Sequence, residues 1–175
     1  MKSSPDRVER ALHHTQTFSN SCQPACMAMA LGRRRSETVA DIEARLHAGA
    51  APAGHPVTER KWLNEPRTSL QKSTLDAAEL EGFRTVLRRG GWVMVHVFGP
   101  RWVARLPKGV FGPHGALCPP ADAARPLHSV LLVGFSAGCF FVLDPFFGPD
   151  AQPFEVAHSE LRSVLSGFSS LVIEL

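Results

Sequence analysis

A chain of 175 residues has the length of one domain, and residues 1–175 are taken as a single unit. Its hydrophobic content of 44% and charged content of 20% are typical of globular proteins, and a formal net charge of +3 is too small to indicate binding to nucleic acid. The N-terminal residues lack the apolar run of a signal peptide, and no stretch reaches the ~18 apolar residues of a membrane-spanning helix. We therefore expect neither a nucleic-acid partner nor a membrane partner.

The first half of the chain has the patterns of helices. Residues 1–15 are polar and predict a flexible N-terminal arm or a short helix. Helices are predicted at residues 22–32, where Gly32 ends the pattern, and at residues 38–49, where an apolar stripe follows a capping-box pattern. A third helix is predicted at residues 75–89, before two consecutive glycines.

The second half changes to the alternation of strands. Residues 99–127 contain six prolines and four glycines, which predict a long ordered loop. A short helix is predicted at residues 161–165, and the strands are predicted at residues 92–98, 128–135, 139–143 and 171–175. Because helices come first and antiparallel strands follow, the order predicts an α+β domain with N-terminal helices packed on a C-terminal antiparallel sheet.

Four cysteines predict reduced thiols rather than a metal site or a disulfide framework. Cys22 and Cys26 lie four residues apart in the segment NSCQPAC, but Cys118 and Cys139 are isolated. A structural zinc ion needs four ligands, usually in closely spaced pairs. We expect no metal and no cofactor, and a cytoplasmic location in the producing cell. A protein delivered into a target cell by a secretion system that needs no signal peptide would have the same composition.

Cys22 is the candidate nucleophile. It precedes the first turn of a predicted helix, where backbone N–H groups and the helix dipole stabilise a thiolate. Cys26 lies one turn further along, among small and apolar residues, and is predicted to be part of the core. His96, in the middle of a predicted strand, is expected to be a buried or edge histidine.

A base and a residue that orients it are available on the predicted hairpin. His128 begins a buried strand, and Asp144 ends the next one. If Phe135 pairs with Cys139, the two side chains are diagonal neighbours on one face and within reach of each other. A hairpin that is tighter by one residue would place them on opposite faces, so the residues alone leave both arrangements open.

Two blocks of the sequence resemble the bacteriocin-processing, double-glycine leader peptidases, which are papain-like cysteine peptidases. The first block is QTFSNSCQPAC at residues 16–26, and the second runs from HSVLLVG at residues 128–134 to VLDP at residues 142–145. The tail from residue 154 is similar to the last helix and strand of that family. The family usually has glycine directly after the cysteine, where this chain has Gln23. Members of the family also form the N-terminal domains of peptide-exporting ABC transporters, whereas this chain resembles a stand-alone form.

The resemblance implies a papain-like fold and a role for each motif residue. Cys22 is the nucleophile, His128 the general base and acid, Asp144 the residue that orients His128, and Gln16 a donor to the oxyanion. The family cleaves after Gly-Gly or Gly-Ala, so the implied partner is a protein or peptide with such a site, together with a possible immunity or inhibitor protein. Gln23 is expected to border the substrate and to keep the cleft narrow.

Several interpretations stay open at this level. Trp102 in the predicted loop is either a substrate contact or a residue that packs the loop onto the domain, and the same two interpretations apply to Phe111. The enzyme could be a bacterial effector or toxin that hydrolyses peptide bonds. It could also be a papain-like deamidase or acyltransferase, because an acyl-enzyme can react with water or with an amine. An inactive, peptidase-like binding module is the remaining alternative.

Overall fold

A computed structural model of the protein describes residues 13–17, 21–32, 37–48, 68–71, 77–103, 127–149, 152–166 and 170–173. The helices are α1 (Cys22–Gly32), α2 (Val39–Ala48), α3 (Ala77–Arg88), α4 (Gly99–Val103) and α5 (His158–Val164). The strands are β1 (Thr68–Gln71), β2 (Trp92–Phe98), β3 (Leu127–Phe135), β4 (Cys139–Leu143), β5 (Phe154–Ala157) and β6 (Ser170–Ile173).

Helix α1 is buried along most of its length. Pro24 suits its first turn, where a backbone N–H has no partner inside the helix, and every residue from Pro24 to Leu31 is buried. The helix packs between the sheet and α2, and this position explains why it has no polar face. Helix α2 is amphipathic and begins as predicted, because the Asp41 N–H donates to the Thr38 hydroxyl over 3.1 Å.

The six described strands form one antiparallel sheet in the order β1-β6-β2-β3-β4-β5. Apolar side chains of α1 and α2 form one core with one face of the sheet. Side chains of α3 and α5 form a second core on the opposite face. Strand alternation accounts for both cores, because Leu131 faces α1 while Val130 and Leu132 face α3. The prediction of an α+β domain with N-terminal helices on an antiparallel sheet is confirmed, and helices cover both faces.

The turn between α3 and β2 explains the two consecutive glycines in that segment. Gly90 has a φ of +80°, a left-handed conformation that glycine adopts without strain. A Cβ atom on Gly91 would lie 2.9 Å from the Ile173 carbonyl oxygen and 2.8 Å from the Val86 Cγ1 atom. Gly90 therefore ends α3, and Gly91 allows the backbone to pass close to Ile173 and Val86 as it enters β2.

The structure differs from the sequence-based expectation in several elements. The segment predicted as a loop begins with helix α4, while residues 104–126, including Phe111 and Cys118, lie outside the described residues. Strands β1 and β5 were not expected, and α5 begins at His158 rather than at residue 161. None of the described helices is long and apolar enough to cross a membrane.

The predicted N-terminal arm is only partly described. Residues 1–12 lie outside the described residues, but His13, His14 and Thr15 are not a loose arm. His13 Nε2 donates to the Asp144 carbonyl oxygen over 3.1 Å, and the Thr15 hydroxyl donates to the Phe147 carbonyl oxygen over 3.4 Å. These bonds fix residues 13–15 against the loop that follows β4.

Candidate active site

An irregularity in the β3–β4 hairpin brings His128 and Asp144 together. At the turn Phe135 pairs with Phe140, so the predicted pairing of Phe135 with Cys139 is wrong by one residue. A register shift between Leu132 and Gly134 then takes up one extra residue. Beyond the shift Leu131 pairs with Leu143. This is the register in which His128 and Asp144 are diagonal neighbours on one face.

The side chains of His128 and Asp144 form a buried hydrogen-bonded pair. His128 Nε2 donates to Asp144 Oδ1 over 2.8 Å, and the two side chains are 2% and 0% exposed. Because Nε2 faces the carboxylate, Nδ1 is the ring nitrogen left for the nucleophile. The Phe146 ring packs edge-on against the imidazole with the ring centroids 6.2 Å apart, which further restricts its orientation.

Asp144 itself is held on all sides. Oδ1 also accepts from the Phe146 backbone N–H over 2.8 Å, and Oδ2 accepts from the indole N–H of Trp102 over 2.6 Å. The side-chain amide of Gln152 spans the Asp144 backbone, accepting from its N–H over 2.8 Å and donating to its carbonyl oxygen over 2.7 Å. Both carboxylate oxygens therefore have hydrogen-bond donors, and the side chain has a fixed position among apolar residues.

Cys22 is the first residue of α1, and the residue as a whole is partly exposed. Burial of the sulfur opposes ionisation, but hydrogen bonds from His128 and from the Ser129 hydroxyl and backbone N–H lower the pKa of Cys22 below its ordinary value. For His128, burial favours the neutral ring, but the charges and hydrogen bonds of Asp144 and Cys22 raise its pKa to about 10. The two shifts together favour a thiolate–imidazolium pair.

Cys26 lies behind the nucleophile rather than beside the cleft. Its side chain is fully buried, and its Sγ donates to the Ser129 carbonyl oxygen over 3.4 Å. Burial, reinforced by the charges of Cys22, Asp144 and Glu43, raises the pKa of Cys26 well above its ordinary value. A neutral, enclosed thiol agrees with the sequence-based prediction that Cys26 is a core residue.

A buried carboxylate holds the segment that leads to Cys22. Glu43 on α2 accepts from His14 Nε2 over 2.6 Å, from the Thr17 N–H over 3.0 Å and from the Thr17 hydroxyl over 2.7 Å, and it also accepts from the Ser21 hydroxyl. Burial opposes its ionisation, but these donors, led by His14, lower the pKa of Glu43. The carboxylate ties both sides of the segment 18–20 to α2.

Gln16 lies before Cys22, in the stretch that Glu43 holds, and is buried at 4% exposure. Its backbone N–H donates to the Pro145 carbonyl oxygen over 2.6 Å, which places it beside the end of β4 and next to Asp144. The backbone position is compatible with a donor near the reacting carbonyl, and its role in the oxyanion hole stays a prediction.

The other predicted contacts lie in different surroundings. Gln23 is partly exposed in the first turn of α1, next to the nucleophile. Trp102 is 0% exposed and bonded to Asp144, so it has no surface for a substrate in this conformation. Its position corresponds to the packing interpretation, because the indole supports the carboxylate from behind.

Sequence reasoning missed four residues of this site. Ser129 and His96 face each other across β3 and β2, and Gln152 and Glu43 hold backbone segments. Only Glu43 had a usable signal, because it lies three residues before Leu46 and four after Val39, on the apolar side of α2. Among the residues that the structure describes, no group of three His, Cys, Asp or Glu side chains could hold a metal ion.

Comparison with known proteins gives the fold. No protein-family profile matches the chain, and no curated protein matches it. Among solved structures, the chain is similar to a protein from Bacillus anthracis described as a "putative C39-like peptidase", with a TM-score of 0.58 and 94% of each chain covered. The chain has the papain-like fold of a C39-like peptidase. At 12% sequence identity the likeness concerns the fold, and the chemistry has to be argued from the residues of this chain.

Proposed function

We propose that this protein is a cysteine peptidase in which Cys22 is the nucleophile, His128 transfers protons and Asp144 orients His128. The observation that carries the proposal is the buried hydrogen bond between His128 and Asp144 beside Cys22 at the start of α1, where His128 lowers the pKa of the thiol. A nucleophile, a base within hydrogen-bond reach and a third group that orients the base are the elements that covalent catalysis requires.

The geometry supports a two-step reaction. The Cys22 thiolate attacks the carbonyl carbon of the scissile peptide bond, and the His128 imidazolium gives its proton to the departing amine as the C–N bond breaks. A thioester on Cys22 and a free N-terminus result. Water then gives a proton to His128 and attacks the thioester. The C–S bond breaks, which restores the thiolate–imidazolium pair and releases a carboxylic acid that loses its proton to solvent.

The negative charge that forms on the carbonyl oxygen needs hydrogen-bond donors. The amide of Gln16 and the backbone N–H groups at the start of α1 are the proposed donors, by the resemblance and by their nearness to Cys22 in the fold. The Glu43 bonds at both ends of the segment 18–20 would limit the motion of Gln16 relative to Cys22. Donors that are fixed before the reaction cost no reorganisation when the charge develops.

The proposed substrate is a peptide or protein with a small residue before the scissile bond, in particular the second glycine of a Gly-Gly pair. The proposal rests on the resemblance of the two sequence blocks and on the position of Gln23 beside the nucleophile, where a long side chain leaves less room than glycine would. An effector role, in which the substrate is a protein of a target cell and an immunity protein protects the producer, extends the same proposal.

Specificity profiling with a peptide library tests this function. The library varies the two residues before each bond, and mass spectrometry identifies the products of the wild type and of the Cys22→Ala variant. We expect new N-termini after Gly-Gly and Gly-Ala with the wild type only. A strong demand for a bulky or charged residue before the bond would contradict the specificity. Ammonia released from intact peptides without new N-termini would identify a deamidase instead.

A further inference from the structure

We propose that Ser129 and His96 form a second hydrogen-bonded arm on the Cys22 sulfur, in which the Ser129 hydroxyl binds the thiolate and His96 fixes that hydroxyl. Both are positioning residues, since neither is needed to transfer a proton to substrate. The inference rests on Cys22 being the nucleophile of the proposed peptidase, but it concerns the reactivity of the thiol and not the choice of substrate.

The sheet places Ser129 and His128 on opposite faces of β3. In the pairing of β2 with β3, His96 lies opposite Ser129 and Val97 lies opposite His128. Successive residues of a strand point to opposite faces, so Ser129 faces α1 whereas His128 is directed with Val97 and Val130 towards the other core. Cys22 begins α1 at this end of the sheet, and His128 and Ser129 both lower the pKa of its thiol.

The contacts of Ser129 show how tightly it is built into the site. It is 2% exposed, its N–H and its hydroxyl help to lower the pKa of Cys22, and its carbonyl oxygen accepts from Cys26 Sγ. Its Oγ lies 2.9 Å from Nδ1 of His96, which is itself only 6% exposed. One residue thus connects both thiols of the helix to a second histidine.

The direction of these hydrogen bonds follows from the number of protons. A serine hydroxyl has one proton to donate and can accept at its lone pairs. When Cys22 is a thiolate, that proton goes to the sulfur, and Oγ accepts from Nδ1–H of His96. A neutral His96 is then held as the Nδ1–H tautomer. If His96 Nδ1 carried no proton, the Ser129 hydroxyl would donate to Nδ1, and the sulfur would lose this hydrogen-bond donor.

Among the residues that the structure describes, the titratable groups that interact with Cys22 are His128 and Cys26, and Cys26 is enclosed and neutral. Loss of the Ser129 hydroxyl removes one donor to the thiolate and leaves the His128–Asp144 pair in place. Loss of the His96 donor should have a smaller effect in the same direction, because it acts through Ser129. The two effects should not add.

The experiment measures the rate of Cys22 alkylation by iodoacetamide as a function of pH in the full chain. We expect Ser129→Ala to move the midpoint of the profile up by about one pH unit, the scale of one hydrogen bond to a thiolate. His96→Leu should move it up by less. His96→Asn should keep the wild-type midpoint, since the amide N–H can take the place of Nδ1–H. The double variant Ser129→Ala/His96→Leu should match Ser129→Ala.

An unchanged profile in a folded Ser129→Ala variant would overturn the inference. A His96→Leu shift that persists in the Ser129→Ala background would mean that His96 acts on Cys22 directly, and it would overturn the relay. If His96→Leu does not fold, a His96→Asn midpoint as high as that of Ser129→Ala would also overturn the relay. Peptidase activity that survives Cys22→Ala would contradict the proposed function instead, so the two failures are distinguishable.

Discussion

Replacement of Asp144 by asparagine is the sharpest probe of the hydrogen-bonded pair. The carboxylate accepts from His128 and the Phe146 N–H at Oδ1 and from the Trp102 indole at Oδ2. An amide has one oxygen and one NH₂ group. The amide orientation of lowest energy keeps the oxygen on His128 and Phe146 and turns the NH₂ group towards the Trp102 indole. Two N–H donors then face each other at a position where, in the wild type, Trp102 Nε1 lies 2.6 Å from Oδ2.

The cost can be estimated from these contacts. One hydrogen bond to a charged acceptor is lost, and two buried donors are left without an acceptor, which together destabilise the folded state by about 2–4 kcal/mol. Adding Trp102→Phe removes one of the opposed donors. The double variant should therefore be about 1–3 kcal/mol more stable than the sum of the two single changes implies. Asp41→Asn, at an exposed position in the first turn of α2, is the matched control and should cost less than about 1 kcal/mol.

The same variant separates orientation from charge. His128 Nε2–H can still donate to the amide oxygen, so Nδ1 still faces Cys22 and part of the peptidase activity should remain. Without the carboxylate charge the pKa of His128 falls and the thiolate loses stabilisation, so the alkylation midpoint of Cys22 should move to higher pH. Chemical denaturation gives the stabilities, and iodoacetamide labelling gives the midpoint. Additive stabilities and an unchanged alkylation midpoint would show that the Asp144 carboxylate neither accepts from Trp102 nor stabilises the thiolate through His128.

The remaining predictions concern the nucleophile and its support. Cys22→Ala should abolish activity and the labelling of the tryptic peptide that contains residues 22 and 26, whereas Cys26→Ala should keep both and lower the free energy of unfolding by about 1 kcal/mol. Labelling of that peptide that depends on Cys26 would invert the assignment. Gln16→Ala should lower kcat by roughly 10²–10³ with little change in KM, and an effect on KM alone would make Gln16 a substrate contact. Glu43 has a lowered pKa, so its contribution to stability is complete above its unfolded pKa of about 4.3 and is lost as the pH falls through its folded pKa. Denaturation measured against pH should lose this acid-side decline in Glu43→Gln; a profile parallel to that of the wild type would contradict the clamp.

Local patterns were sufficient for the elements that carry the chemistry. The start of α1 at Cys22 follows from a proline in the first turn and a run of small and apolar residues. The positions of His128 and Asp144 at strand ends follow from strand alternation and from the turn between β3 and β4. These signals depend on residues that are close in sequence, so no knowledge of the tertiary structure was needed.

The long-range support of the site could not be predicted in this way. The register shift between Leu132 and Gly134 depends on how the twisted hairpin accommodates its turn, and composition does not encode it. The pairing of His96 with Ser129 requires the register of β2 against β3. Trp102 reaches Asp144 from a segment that the sequence pattern assigned to a loop, and Gln152 reaches it from a segment to which the pattern assigned no element. Each of these contacts is set by topology rather than by local propensity.

Trapping of the acyl-enzyme is the strongest test that Cys22 is the nucleophile. The protein is mixed with a peptide that contains Gly-Gly, quenched in acid within the first turnover and analysed by mass spectrometry after trypsin digestion. The tryptic peptide between Arg10 and Arg33 contains Cys22 and Cys26, and fragmentation distinguishes them. We expect this peptide to gain the mass of the N-terminal substrate fragment, which ends in the second glycine and is bound as a thioester to Cys22. We also expect His128→Ala to remove the adduct. A thioester on Cys26, or new peptide N-termini formed by a Cys22→Ala variant, would contradict this role of Cys22.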